Sequence, residues 1–236
     1  MSRSGVDIAK ALVPVAGMTM LERNFRQLVK HGFDRILVAT PGGEHPVTDF
    51  AHGPLTALAD ALDVGLEVHP EEHPLGNIGA IQLEAPREDP LLVVYADNLT
   101  VLDLSAIRRA HCDAAADLTL AVHEQPFRMP FGEVIIEGDL VTDYIEKPTY
   151  RILVCSAISV IAPAVIRSIA PGEAIGISDL ARRTITAGGK VLAFRHEAPW
   201  IDVNDRGDVL RAETLVAEHA AAFADCTPDA FGPDAA

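Results

Sequence analysis

The sequence predicts an α/β protein: a three-layer αβα domain with a mostly parallel central sheet and a small antiparallel β-hairpin insertion. Three observations carry this. In the first half, short runs rich in Val, Ile and Leu alternate with apolar spacings of three and four, the pattern of βα units. Around Gly138-Asp139 the pattern changes to two alternating segments, a hairpin signal. The 236-residue chain is 49% hydrophobic, enough for one sizeable core. The punctuation predicts one domain over residues 1–223 and a flexible tail over 224–236, rich in Asp, Pro, Ala and Gly.

Thr19 opens a capping box with Glu22, and Leu21, Phe25 and Leu28 recur at helical spacing until Gly32 stops the helix. Arg35 to Thr40 reads as a strand running into the loop Pro41-Gly42-Gly43. A weaker helix spans Val47 to Leu62, interrupted near Gly53-Pro54, and Val64 to His69 is a second strand. A helix from about Gly76 to Glu84 leads to Leu91 to Tyr95, apolar on both faces and therefore expected deep inside the sheet. Asp103 to Cys112 is helical and Asp117 to Glu124 extended. Gly132 to Glu137 and Leu140 to Ile145 form the hairpin, and Arg151 to Ile161 is a further strand. Pro163 begins a short helix, and Gly188-Gly189 ends a longer one that starts at Ile177. Val191 to Glu197 is a strand, and Asn204 caps the last helix, which runs to about Phe223.

Composition excludes several classes. The net charge of −15 would repel a nucleic acid, while a few local cations can still bind a small phosphorylated ligand. Cys112, Cys155 and Cys226 are too scattered for a disulfide framework or a C-x-x-C metal knuckle. Met1 to Lys10 has no apolar core of a signal peptide, and no apolar run approaches a bilayer span, so a cytoplasmic protein is expected. His69 and His73 have H-x-x-x-H spacing, but Pro70 and Pro74 exclude the helix that would align them, so zinc is not expected.

In open α/β sheets, ligands bind beyond the carboxyl ends of the strands. Asp97 stands there, just past Leu91 to Tyr95, and either holds a Mg²⁺ against phosphate oxygens or caps the following turn. Asp202, in Trp200-Ile201-Asp202-Val203, is a turn or cap residue, or the second half of the same metal site. Lys147, in Glu146-Lys147-Pro148, and Lys10, before Ala11 to Gly17, each read as a phosphate-binding point charge or a solvated surface lysine. Pro74 to Ala80 is a Gly-containing loop that allows close backbone approach to a ligand.

Taken in order, these segments resemble the sugar-1-phosphate nucleotidylyltransferases. Lys10 to Glu22 (KALVPVAGMTMLE) is similar to that family's K-x-L-x-P-V-x-G-x-P-M-L-E, and Pro74 to Ala80 (PLGNIGA) to P-L-G-T-A-G-A. Asp97 falls on the Asp of its G-D motif, Glu146 to Pro148 on E-K-P, Cys155 to Pro163 on N-A-G-I-Y-V-L-x-P, and Trp200 to Val203 on W-x-D-V-G. The resemblance implies a Rossmann-like fold and a reaction between an NTP and a sugar 1-phosphate that releases pyrophosphate. It implies Mg²⁺ held by Asp97 and Asp202, and Arg3 and Lys10 facing the nucleotide phosphates. It places Gly76 and Asn77 against the nucleoside, Lys147 on the sugar phosphate, and Gly132, Glu146 and the Cys155 segment around the sugar. A homo-oligomer is compatible with it.

The chain departs from that pattern at its start. The family's buried first strand and G-G-x-G-x-R loop are represented only by Arg3, the one residue that matches the end of the loop. Either the natural chain extends upstream of Met1, or this is a divergent, catalytically silent binding or regulatory relative. The missing strand predicts an unpaired interior sheet edge and the loss of about three buried side chains, worth roughly 1.5–3 kcal/mol each. Cys155, Ala157, Asn77 and Ala96 replace the family's Asn, Gly, Thr and Gly, which bears on the substrate more than on the fold. A nucleotide-sugar-dependent glycosyltransferase ranks last, because the chain has no D-x-D.

Overall fold

The computed structural model describes residues 9–84 and 88–223. A 3₁₀ turn, Lys10–Leu12, leads into the small ladder β1 (Pro14–Val15) and β2 (Met18–Thr19). Next, α1 (Met20–Lys30) starts where Thr19 Oγ accepts the Glu22 N–H at 3.2 Å and stops before Gly32, which holds φ +79°. The strand β3 (Arg35–Pro41) precedes α2 (Pro46–Phe50), a π-helical segment Ala51–Leu55, and α3 (Thr56–Ala61). The π segment answers Pro54, which has no N–H to donate; at its C-terminal end, Thr56 Oγ donates to the Ala51 carbonyl at 2.8 Å.

The strand β4 (Gly65–Glu71) and a 3₁₀ helix, Gly79–Glu84, come next, followed by β5 (Leu91–Val94), β6 (Asn98–Thr100), α4 (Leu104–Asp113) and β7 (Leu118–Arg128). The hairpin β8 (Glu133–Glu137) and β9 (Leu140–Ile145) precedes the long β10 (Thr149–Ile161). The chain continues through α5 (Pro163–Arg167), α6 (Ile177–Thr186), β11 (Val191–Arg195), β12 (Trp200–Asp202), α7 (Arg206–Glu218) and α8 (Ala220–Phe223).

The central sheet has the order β11-β7-β10-β5. Only β11 runs parallel to its neighbour; β7 with β10 and β10 with β5 are antiparallel. This corrects the expected mostly parallel sheet. No crossover helix separates β7 from β10: the chain turns back through the β8–β9 hairpin, so β10 returns antiparallel. Helices cover both faces of this sheet. Leu118 and Ile161 pack with Ile166 of α5 and Leu180 of α6, while Ala121, Ile158 and Val160 pack with Leu104 and Ile107 of α4.

A second layer pairs β3 with β4 in parallel, from Arg35↔Gly65 to Pro41↔Glu71. Phe25 of α1 and Val47, Ala51 and Leu55 of the interrupted helix bury Ile36 and Val38 of this layer. Among the described residues, β3 pairs with β4 alone and β5 with β10 alone. Both open edges border one cavity of about 840 Å³. That is the unpaired interior edge predicted from the sequence, and it leaves β5 half-buried despite its apolar composition.

Two smaller corrections follow. The helix expected from Gly76 shrinks to Gly79–Glu84, because Gly76 is in the left-handed region at φ +80°. Asp205, not Asn204, caps α7: its side chain accepts the Asp208 N–H at 2.9 Å, and Asp208 returns the bond in a reciprocal box.

Candidate active site

The acidic corner is assembled by one short antiparallel ladder. β12 pairs with β6 so that Asp202 lies opposite Asn98, and the Val203 N–H donates to the Asp97 carbonyl at 2.9 Å. Asp97 and Asp202, 105 positions apart in the chain, therefore come close enough to interact electrostatically. Asn24 on α1 clamps the turn that carries Asp97, donating to the carbonyls of Ala96 and Asn98 at 3.3 and 3.1 Å. Below the ladder, Val15, Met20, Leu99, Val203 and Phe223 form a separate core.

Electrostatics at this corner favour an added cation. Burial pushes the Asp97 carboxyl above the usual carboxylate range, the nearby Asp202 charge pushes it the same way, and Lys10 opposes them more weakly. Lys10 Nζ lies 3.8 Å from Asp97 and donates to the Asn204 side-chain oxygen. Asp202 Oδ1 is buried with no hydrogen-bond partner among the described residues. Two facing carboxylates with an unpartnered oxygen are a hard-oxygen donor set that fits Mg²⁺, which takes one or two carboxylates and completes its shell with water and phosphate oxygens. No cluster of three or more acidic, His or Cys side chains suited to a metal occurs among the described residues.

Beside the corner, Tyr95 and Cys155 are close enough to interact electrostatically, and Tyr95 also senses Asp97. Burial raises both the Tyr95 phenol and the Cys155 thiol, so both are neutral at pH 7. Cys155 sits at an irregularity in β10, where the pairing with β7 shifts and Ala157 takes φ +55°. Ser156, fully buried in that bulge, bonds His123 Nδ1 and His196 Nε2 through its hydroxyl, each at 2.8 Å. Its carbonyl accepts the Trp200 indole N–H at 2.9 Å. The bulge is thus tied to the strand that carries Asp202.

The other candidates are placed differently. Gly76 is held by packing: a Cβ there would come within 2.4 Å of the Ile175 carbonyl. Asn77 Oδ1 accepts the Ile177 N–H at 3.0 Å at the start of α6, and its side of the loop borders the cavity near Lys10 and Asp97. Gly132 abuts the Tyr144 ring in the hairpin region. Glu146 and Lys147 follow β9, are exposed, and contact each other at 3.8 Å. The structure therefore brings Lys10, Asp97 and Asp202 together, sets Asn77 on the cavity lining and Cys155 near Tyr95, and leaves Gly132, Glu146 and Lys147 on the projecting arm. Arg3 lies outside the described residues, as does the tail from residue 224.

Three participants are not marked by sequence pattern: Asn204 has the place of a helix cap, Ser156 lies within a strand, and Asn24 stands between Leu21 and Phe25 on an amphipathic helix. Only Asn24 left a signal, a polar side chain on the apolar face of an amphipathic helix.

Residues 2–165 match the MobA-like NTP transferase domain. The chain belongs to that family. Relatives of this transferase domain include the bifunctional IPC transferase and DIPP synthase of Rubrobacter xylanophilus, 31% identical over 88% of this chain and 47% of the relative. The D-glycero-alpha-D-manno-heptose 1-phosphate guanylyltransferase of Aneurinibacillus thermoaerophilus is 26% identical over 60% of each chain. The chain thus spans about half to three-fifths of the length of these curated relatives. Among solved structures, HddC from Yersinia pseudotuberculosis complexed with GMP-PN shares the fold, with a TM-score of 0.66, 21% identity and coverage of 91% of this chain and 92% of that one. No helix among the described residues is long and apolar enough to cross a membrane.

Proposed function

We propose that this transferase domain moves an NMP group from an NTP to a sugar 1-phosphate, or a similar phosphorylated small molecule, and releases pyrophosphate. The observation that carries this reading is the convergence of Asp97 and Asp202 beside Lys10 at the end of the β6–β12 ladder. An oxygen of the acceptor phosphate attacks the α-phosphorus; the bond from that phosphorus to the bridging oxygen breaks, and the electron pair leaves with pyrophosphate. Such transfers depend on positioning and charge neutralisation, without a protein nucleophile. Asp97 and Asp202 would hold Mg²⁺, which neutralises phosphate charge when bound.

Lys10 is placed to meet nucleotide phosphate oxygens, and its present hold on Asn204 keeps its ammonium turned to the corner. Asn77 at the cavity rim would face the nucleoside, and Cys155 and Tyr95, both neutral, would line the acceptor side. Glu146 and Lys147, carried on the arm, would bind the acceptor. The relatives that act on a heptose 1-phosphate and that bind GMP-PN support the substrate classes. A Rossmann-like reading of the fold belongs to the same proposal.

The test follows pyrophosphate while purified protein is incubated with each NTP, Mg²⁺ and a panel of sugar 1-phosphates. Release with one pair, lost on adding a chelator, is the expected result. Nucleotide binding without pyrophosphate from any pair would instead establish a silent binding protein.

A further inference from the structure

The β6–β12 ladder has two unlike faces. Leu99, Ile201 and Val203 alternate onto one and join the core around Val15 and Met20. Asn98 and Asp202, directly opposite each other in register, share the other face, where the Cβ atoms of such a pair stand about 4.5–5.5 Å apart. Asn98 is only 2% exposed. Its backbone is satisfied: the N–H donates to the Tyr95 carbonyl at 3.2 Å, and the carbonyl accepts from the Asn24 amide at 3.1 Å.

Its side chain is not. The amide nitrogen reaches Asp97 Oδ1 at 3.5 Å, which sets the way the amide is turned, since an oxygen in that place would meet another acceptor. Asn98 Oδ1 is left buried with no hydrogen-bond partner, as is Asp202 Oδ1 on the residue across the ladder. The other buried side-chain oxygens without a partner among the described residues, Thr40 Oγ1 and Tyr95 Oη, belong to hydroxyls, which carry a hydrogen of their own and can turn it. The oxygen of a carboxamide or an ionised carboxylate can only accept. Two such oxygens on one buried rung need a shared donor or a cation. Lys10 bonds neither of them: it donates to Asn204 and lies 3.8 Å from Asp97.

We infer that the Asn98 carboxamide oxygen is a third protein ligand, beside Asp97 and Asp202, of the divalent cation proposed at this corner. The inference rests on that reading of the corner and deepens it. Carbonyl-type oxygens suit Mg²⁺ and Mn²⁺ as carboxylates do, and a neutral one adds a ligand without a third negative charge, so two carboxylates still match a charge of +2. The remaining positions of the shell fall to phosphate oxygens and water. A carboxylate at 98 would hold a cation more firmly, but would add to the repulsion between Asp97 and Asp202 in the absence of one.

Direct uptake of Mn²⁺ tests this, with the free ion followed by electron paramagnetic resonance and no nucleotide present. The wild-type chain is expected to take up one ion. Asn98→Leu keeps the branched shape without the oxygen; it should weaken uptake by about tenfold or more and melt no lower than wild type in EDTA. Asn98→Asp keeps the oxygen and loses the N–H donor. It should bind Mn²⁺ at least as tightly as wild type, melt lower in EDTA and gain more in melting temperature when Mn²⁺ is added. Melting in EDTA separates the loss of a ligand from the loss of the fold, and Asn98→Leu decides alone if Asn98→Asp does not fold. Unchanged uptake by Asn98→Leu would overturn the inference and leave the Asp97–Asp202 reading standing. Uptake by a folded Asn98→Asp as weak as that of Asn98→Leu would make Asn98 a donor that holds Asp97, and would overturn it too. A wild-type chain that takes up no Mn²⁺ would overturn both readings together.

Discussion

The two ends of the candidate site are built on different supports. At the acidic end, Asp202 is paired within one ladder and Asp97 stands one residue before it, and Asn24 and the Trp200–Ser156 bond fix that ladder to the body. At the other end, Glu146 and Lys147 ride a hairpin that projects from the body, and their nearest charged contact is each other. Groups carried by paired strands are placed by backbone hydrogen bonds, at no entropic cost when ligand arrives. Groups carried by an arm must be ordered by the ligand or by an interface, and that ordering subtracts from affinity. The acidic end should therefore govern rate and the arm should govern affinity.

The sharpest way to break this contrast is at the carboxylates. Asp97→Asn and Asp202→Asn are each expected to lower kcat by about 10²–10⁴-fold, the equivalent of several kcal/mol of charge stabilisation. Pyrophosphate release measures the loss. Asp97→Asn should also melt no lower than wild type at neutral pH. Burial raises the Asp97 carboxyl in the fold, so the native state holds that proton more tightly than the unfolded chain does. The stability contributed by Asp97 therefore falls as pH rises from the ordinary value of 3.8 through the folded one, and stays low above it. Asn removes this slope, and melting temperatures taken across acidic to neutral pH would reveal it; an identical slope in the variant would rule out Asp97 as its source.

A smaller effect is expected at the arm. Lys147→Ala should raise the KM for the phosphorylated acceptor by about tenfold or more, the value of one charge-assisted bond, with kcat nearly kept. A fall in kcat with an unaltered KM would reverse the roles given to the two ends. Smaller again is the tie between the bulge and the ladder. Ser156→Ala leaves His123 and His196 without their shared hydroxyl and should cost about 1–3 kcal/mol of stability in denaturant titrations. Least of all, Ala157→Gly relieves a left-handed alanine and should add up to about 1 kcal/mol.

Local chemistry made much of the framework legible. The Thr19 box, the stop at Gly32 and the turn at Gly138-Asp139 each act over a few residues, and the structure places elements accordingly. Strand direction did not follow from the same signals. Alternating apolar runs and helices look alike whether a strand returns by a crossover or by a hairpin, which is why the antiparallel β7–β10 pairing departs from the expected parallel one. At the site, the positions of Asp97 and Asp202 at strand ends made them candidates, while their proximity depended on the β6–β12 ladder, which no local pattern encodes. Asn204 escaped because a helix-capping role was the nearer explanation for an Asn before a helix.

The open edges of β3 and β5 have one more consequence. Among the described residues, every second amide along the borders of the 840 Å³ gap, within Arg35–Pro41 and Leu91–Val94, has no neighbouring strand to pair with. Deuterium should enter these positions within the earliest labelling times, whereas the β7–β10 seam retains its protium until the whole molecule opens.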